Sequence, residues 1–207
     1  MIIAIDGPAA SGKGTLARAI AAHYGYAYLD TGSLYRAVGH GVMQAGLPPE
    51  NEAAALKAAQ SLDVAKIDHE AIRTAEAGHA ASVVAVMPAV RAAILDFQRQ
   101  FAQKKPGAVL DGRDIGTVVC PEADVKFFVT ARPEIRAHRR WLELKDQGSS
   151  LTEAQVLDDV RERDRRDSER ATSPLKPAED AHLLDTSDLS IEAAFGEAVR
   201  IIDKSMR

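Results

Sequence analysis

The 207-residue chain has one cysteine, one tryptophan and few aromatic residues (5%). With Cys120 alone, no internal disulfide can form, which points to a reducing compartment. Beside Pro121, that thiol reads as structural rather than catalytic. The histidines His23, His40, His69, His79, His138 and His182 form no Cys/His group with metal-ligand spacing. No Ser/His/Asp set can be read among them. No apolar run approaches the roughly 20 residues of a membrane span. An excess of positive charge is also missing, since 26 Lys+Arg stand against 30 Asp+Glu, a net charge of −4. General affinity for nucleic acid or a membrane is thereby excluded, and a polyanionic ligand must meet positive charge gathered locally. No basic leader precedes the first apolar run, so no signal peptide is expected and the cytoplasm is the expected compartment. There is no internal repeat, and the length suits one domain with a sizeable core.

What is present begins at once. Residues 2–15 read IIAIDGPAASGKGT, an apolar run followed by a glycine-rich loop. Gly7, Gly12 and Lys13 fit the phosphate-loop spacing G-x-x-x-x-G-K. The loop Gly7, Pro8, Ala9, Ala10, Ser11, Gly12, Lys13, Gly14, Thr15 would turn backbone N–H groups toward phosphate oxygens, with Lys13 adding a mobile charge. It joins a short apolar strand to a good helix former, placing an anion at a helix N-terminus. The Ser/Thr usual directly after the lysine is Gly14 here, and Thr15 comes one place late.

Five apolar runs predict strands: Ile2–Asp6, Tyr26–Asp30, Ala108–Asp111, Val125–Thr130 and His182–Asp185. Helical patterns separate them, which argues for a parallel sheet covered on both faces. Pro133 suits the first position of a helix over Glu134–Gln147, with Gly148 as its stop. Ser150 with Glu153, or Thr152 with Gln155, could form a capping box for the next helix. Ser190 is a candidate N-cap for Ile191–Ser205. The stretch from Thr31 to Gly107 is longer than one crossover needs. It contains an Ala-rich helix over Asn51–Leu62, an unclear stretch at Asp63–Glu76 and a helix over Ala89–Gln103. It reads as an insert standing off the sheet and suited to a second substrate.

Ligands in open α/β sheets bind at the carboxyl ends of the strands, and polar clusters sit at three of them. After the phosphate loop come Asp30-Thr31-Gly32-Ser33-Leu34-Tyr35-Arg36 and Asp111-Gly112-Arg113-Asp114-Ile115-Gly116-Thr117. Asp111 is placed like the acid that binds Mg²⁺, directly or through water, in many phosphate-loop enzymes. Each cluster alone could be a capped helix or a turn; together on one sheet edge they read as a site. A charge run follows at 160–170, VRERDRRDSER. Such runs are usually solvated helices. Here Arg163, Arg166, Asp167 and Arg170 recur at i, i+3, i+4 and i+7 and share a face, with Arg161 nearly opposite Arg163. With Arg136, Arg139 and Arg140 on the preceding helix, Arg132 to Arg170 would form an arginine-lined flap over phosphates.

Taken together, these motifs resemble the nucleoside monophosphate kinases and, within them, the bacterial cytidylate kinases, over essentially the whole chain. The resemblance implies a three-layer α/β phosphate-loop fold with a five-stranded parallel sheet in the order 2-3-1-4-5. It implies a core at 1–36, 88–132 and 172–207, a helical acceptor-binding insert at about 37–87 and a lid at about 133–171. It also implies transfer of the γ-phosphate of ATP to CMP or dCMP with Mg²⁺, by a monomer with no nucleic-acid or membrane partner. By matching position, Gly7–Thr15 would cradle ATP. Thr31, Arg36, Arg113 and Arg170 would hold the acceptor phosphate, and Arg163 and Asp167 its ribose. Ser82, Arg91 and Asp114 would read cytosine, and Arg139 would belong to the lid. Lys13, Arg113, Arg139 and Arg163 would carry the transfer, and Asp111 the metal. Many members carry a longer, strand-containing insert before the position of Ser82. Asp63–His79 is too short for one, so the insert is expected to be helical. The rivals are a kinase of another small acceptor, a GTP switch lacking its Asn-Lys-x-Asp motif, and a nucleic-acid-binding ATPase disfavoured by the acidic balance.

Overall fold

The computed structural model describes residues 1–206. Five parallel strands form one sheet in the order β2-β3-β1-β4-β5: β1 Ile2–Asp6, β2 Ala27–Asp30, β3 Ala108–Gly112, β4 Val125–Thr130 and β5 His182–Asp185. The sheet order and four of the five strand starts are as the sequence predicts; β2 begins one residue later than expected. The registers Asp6↔Gly112, Asp30↔Asp111 and Thr130↔Asp185 bring the carboxyl ends of all five strands to one edge.

Strand alternation sorts the apolar residues into two layers. Ile3, Ile5, Val109 and Phe127 pack with α1 (Lys13–Tyr24) and the last helix, α8 (Ile191–Ser205). Ala4, Leu29 and Leu110 pack on the opposite side. That side is covered by α2 (Thr31–Gln44), α3 (Glu52–Gln60), α4 (Ala75–Val84) and α5 (Pro88–Ala102). Two 3₁₀ turns, Val64–Lys66 and Ala71–Arg73, fill the stretch that the sequence left unclear. Among the described residues the insert holds helices and turns and no strand, as its short length implied. It does not stand clear of the sheet, however. Ala55 and Ala59 of α3 and Ala81 and Val84 of α4 belong to the same buried cluster as Ala4 and Leu110. Their small side chains let these helices approach closely; a Cβ on Gly39 of α2 would lie 2.7 Å from that of Ala80.

The helices α6 (Pro133–Asp146) and α7 (Glu153–Glu169) share a small core of Ala137, Leu144, Val156 and Val160. Of the two candidate capping boxes at the start of α7, the one formed is Thr152 with Gln155. Ser190 caps α8 and Pro133 opens α6 as expected. No single helix among the described residues is long and apolar enough to cross a membrane.

Candidate active site

A cleft of about 480 Å³ opens along the carboxyl edge of the sheet, between the phosphate loop, α2, α4, the end of β3 and the helices α6 and α7. Ten Lys/Arg and six Asp/Glu line it, so a chain of net charge −4 gathers a positive excess at one place.

The loop after β1 has the geometry its glycines allow. A Cβ on Gly7 would stand 2.0 Å from the Val129 carbonyl oxygen, and Gly12 adopts φ +85°, a left-handed conformation open to glycine at little cost. No side chain caps α1, whose N-cap is Gly12, so its first N–H groups are left for an anion. Side-chain donors from outside the loop reach two of its carbonyls, Arg136 Nη1 to Ala9 O at 3.2 Å and Thr186 Oγ1 to Ser11 O at 2.9 Å. A Cβ on Gly14 would lie 3.4 Å from Asp111 Oδ2 and 3.7 Å from the Tyr28 hydroxyl, which places this glycine against the carboxylate.

Lys13, half-buried beneath the loop, donates to Pro8 O at 3.3 Å. Burial, then the nearby Arg113 guanidinium, pushes its pKa down to about 7 against the pull of Asp111 and Asp30. Asp111 moves the other way, up to about 6, through burial and then the charge of Asp30, while the Tyr28 hydroxyl donates to it at 3.1 Å. Burial would raise Asp30 too, but Arg36, at 2.5 Å, and Lys13 outweigh it and hold it below the usual carboxylate range.

On the far side of the cleft, Arg91 from α5 pairs at close range with Asp114, and Arg170 Nη2 lies 3.7 Å from the other Asp114 oxygen. Arg113 Nε donates to Asp167 Oδ2 at 2.8 Å, which ties β3 to α7. Thr31 Oγ1 donates to the Asp111 carbonyl at 2.8 Å. Arg163 has no acidic partner within bridging distance among the described residues. Burial and then Arg113 lower its pKa to about 10.

The side-chain atoms left buried without a hydrogen-bond partner concentrate here. Ser11 Oγ, Arg36 Nε, Ser82 Oγ, Arg163 Nε, Arg166 Nε and Arg170 Nη2 all belong to cleft residues; Thr117 Oγ1 is the exception. Each such group costs about 1–3 kcal/mol, and folded proteins leave few of them. Their gathering in one positive cleft marks a site completed by an anionic, hydrogen-bonding ligand.

The cleft brings together Ala9 to Thr15, Thr31, Arg36, Ser82, Arg91, Asp111, Arg113, Asp114, Arg163, Asp167 and Arg170. Gly7 and Pro8 do not line the cleft; Gly7 packs against the Val129 carbonyl. The expected arginine flap divides. Arg140, Arg163, Arg166 and Arg170 line the cleft. Arg132 instead pairs with Asp188 at the surface, and Arg136 is buried against Ala131 O, Ala9 O and Asp164. Arg139 is held by Thr186, with Nη1 at 3.1 Å from Oγ1 and Nη2 at 2.8 Å from the carbonyl, on the Gly12 side of the loop. Sequence reasoning missed Tyr28, Arg73 and Thr186, which lie on strands, turns or loops without a local motif, and Asp6, which the strand reading absorbed.

A sequence model of the family described as cytidylate kinase matches residues 3–204. A cytidylate kinase of Bradyrhizobium is 57% identical over 203 residues, covering 98% of this chain and 96% of the relative. A cytidylate kinase of Brucella ovis is 57% identical over 99% of this chain and 94% of its own. One of Afipia carboxidovorans is 55% identical over 99% and 98%. Among solved structures, an uncharacterized protein of Eubacterium ventriosum superposes with a TM-score of 0.58 at 14% identity, covering 98% of each chain. A Thermus thermophilus protein does so with a TM-score of 0.50 at 18% identity over 100% of this chain and 98% of its own. The distant structures speak for the fold alone. The match to the family, from the first strand to the last helix and through every cleft-lining segment, settles the kinship: the chain belongs to the cytidylate kinase family.

Proposed function

We propose that the cleft receives ATP on the phosphate-loop side and CMP or dCMP on the α4–α7 side, and that the enzyme moves the γ-phosphate of ATP to the acceptor, giving ADP and CDP or dCDP. The observation that carries this reading is the set of unpartnered buried donors in a cleft rich in arginine. Two nucleotides bearing adjacent phosphates would satisfy them.

Each residue has work that its chemistry suits. The loop Gly7–Thr15 and Lys13 bind the donor phosphates. Thr31, Arg36, Arg113 and Arg170 hold the acceptor phosphate, and Arg163 and Asp167 meet its ribose. Cytosine offers an amino donor at N4 and acceptors at N3 and O2. The Asp114 carboxylate accepts from N4, while Arg91 and Ser82 donate to the other two. Uracil inverts positions 3 and 4 and would set O4 against the carboxylate, leaving buried polar groups mismatched. The acceptor phosphate is already anionic, so the transfer needs alignment, neutralised charge and exclusion of water rather than a general base. In this reading Arg113 and Arg163 offset the charge that builds on the transferring group. Arg139 steadies the loop from the lid helix through Thr186.

The donor set fits Mg²⁺ carried mainly by the triphosphate. One buried carboxylate, Asp111, faces the cleft beside Gly14, and no group of three potential ligands occurs among the described residues. Held there by Asp111, the ion would supply charge neutralisation for the phosphates. In this reading 37–87 acts as the acceptor-binding insert and 133–171 as the lid of a cytoplasmic monomer, a reducing setting that the lone buried thiol of Cys120 suits. Steady-state ADP release with a panel of monophosphates tests it. Turnover with CMP or dCMP and little with UMP or AMP is expected; ATP hydrolysis indifferent to any acceptor would reject it.

A further inference from the structure

Asp6 ends β1 immediately before Gly7 and is 4% exposed. Its two oxygens serve a distant segment: the Ile115 N–H donates to Oδ1 at 2.7 Å and the Gly116 N–H to Oδ2 at 2.8 Å. These are the first N–H groups of the turn Ile115–Val119, which follows Arg113 and Asp114 directly. The first N–H groups of a helical turn need an outside acceptor, ordinarily the side chain of the residue that precedes it. That residue is Asp114, and its side chain makes no capping bond. Its carboxylate faces Arg91 and Arg170 instead. Asp6 therefore caps the turn from the neighbouring strand and leaves Asp114 to the cleft.

The arrangement is closely packed. A Cβ on Gly116 would lie 3.1 Å from Lys126 Cδ and 3.4 Å from Asp6 Oδ2, and one on Gly112 would lie 2.6 Å from Thr31 Oγ1. It is also costly, because Asp6 is buried with no cation in salt-bridge contact among the described residues. Burial raises its pKa to about 7, against the two N–H bonds.

We propose that Asp6 is a positioning residue of the acceptor site. By capping the turn at Ile115 and Gly116, it sets the place of Arg113 and Asp114 relative to the phosphate loop that begins at the next residue. The inference rests on the reading of the cleft as a CMP site. Donor loop and acceptor-reading segment then hang from one side chain, which keeps the two phosphates in line.

Asp6→Asn tests it, since the shape is kept while one N–H loses its acceptor. The KM for CMP should rise about tenfold or more, and the CMP-over-UMP ratio of kcat/KM should fall about fivefold. The KM for ATP should stay within about twofold. Unchanged values for CMP, or CMP and ATP values rising together with an unaltered CMP-over-UMP ratio, would overturn the inference. Should the variant not fold, amide hydrogen exchange on the wild type decides. CMP should slow exchange at Ile115 and Gly116 about tenfold and a non-hydrolysable ATP analogue much less; equal responses to both ligands would overturn it. A wild type that turns over no CMP would instead bring down the reading of the cleft, so the two failures are told apart.

Discussion

The arginines along α7 differ sharply between its two faces. On the outer face, Arg165 is exposed and makes bonds to Glu162 and Glu169 at 2.8 Å, while Arg161 reaches Glu134 at 3.1 Å. The hydrogen bonds that Arg165 donates to Glu162 and Glu169 hold its pKa above its ordinary value. On the inner face, Arg163 lies beside Arg113 and is driven the opposite way, with its Nε left unpartnered. The residue type and the helix are the same, and the faces lie about half a turn apart. An arginine that has found its carboxylate contributes little to anything else. An arginine kept from one holds its donors and its charge for a ligand, at a cost to the empty protein.

Four substitutions or titrations would break or sharpen that contrast. Arg163→Ala should lower kcat/KM for CMP about 10³-fold. The thermal midpoint without nucleotide should stay level or rise by about 2–4 °C, because an unpaired cation is removed from a cationic cleft. A midpoint that falls with activity retained would reverse the assignment of the inner face. Asp114→Ala should erase most of the CMP-over-UMP preference, on the order of 10²-fold, while ATP binding survives. An unchanged preference ratio in paired kinetics would sink that role.

The third concerns Lys13. Its pKa in the free enzyme is about 7, below the ordinary lysine value, so its charge is lost as pH rises through 7. A triphosphate in the loop favours the charged form. ATP binding should therefore take up close to one proton at pH 8, and affinity should weaken between pH 7 and 9. Calorimetry in buffers of different ionisation heat reads this directly, and Lys13→Met should abolish the uptake. The smallest effect belongs to the outer face. Arg165→Ala should leave kcat/KM within about twofold and the midpoint within about 2 °C. A large loss there would show that the face carries more than solvated pairs.

The same contrast explains what could be read from residue order alone. The phosphate loop is local, so spacing revealed it. The inner face of α7 is also local, since positions i, i+3, i+4 and i+7 coincide on any helix, and the cleft does gather Arg163, Arg166, Asp167 and Arg170. Spacing failed where a long side chain chose among distant partners. Arg136 and Arg140 share a face by the same rule, yet Arg136 turns to the Ala131 and Ala9 carbonyls and to Asp164, 28 residues on. Asp6 was hidden for a related reason. A polar residue closing an apolar strand shows nothing of the segment opposite, and its partners lie 109 and 110 residues away. Helix α4 was missed because its Ala-rich sequence lacks a marked polar stripe, its small buried residues packing on α2.

In this reading one cleft along the sheet edge passes a phosphoryl group directly between two nucleotides, without its release to water. Incubation of the wild type with ATP labelled on its γ-phosphate, together with CMP, tests this most directly. The label should appear on the β-phosphate of CDP, one for one with the ADP formed, and almost none as inorganic phosphate. Label released as inorganic phosphate at the same rate with or without CMP would contradict the account.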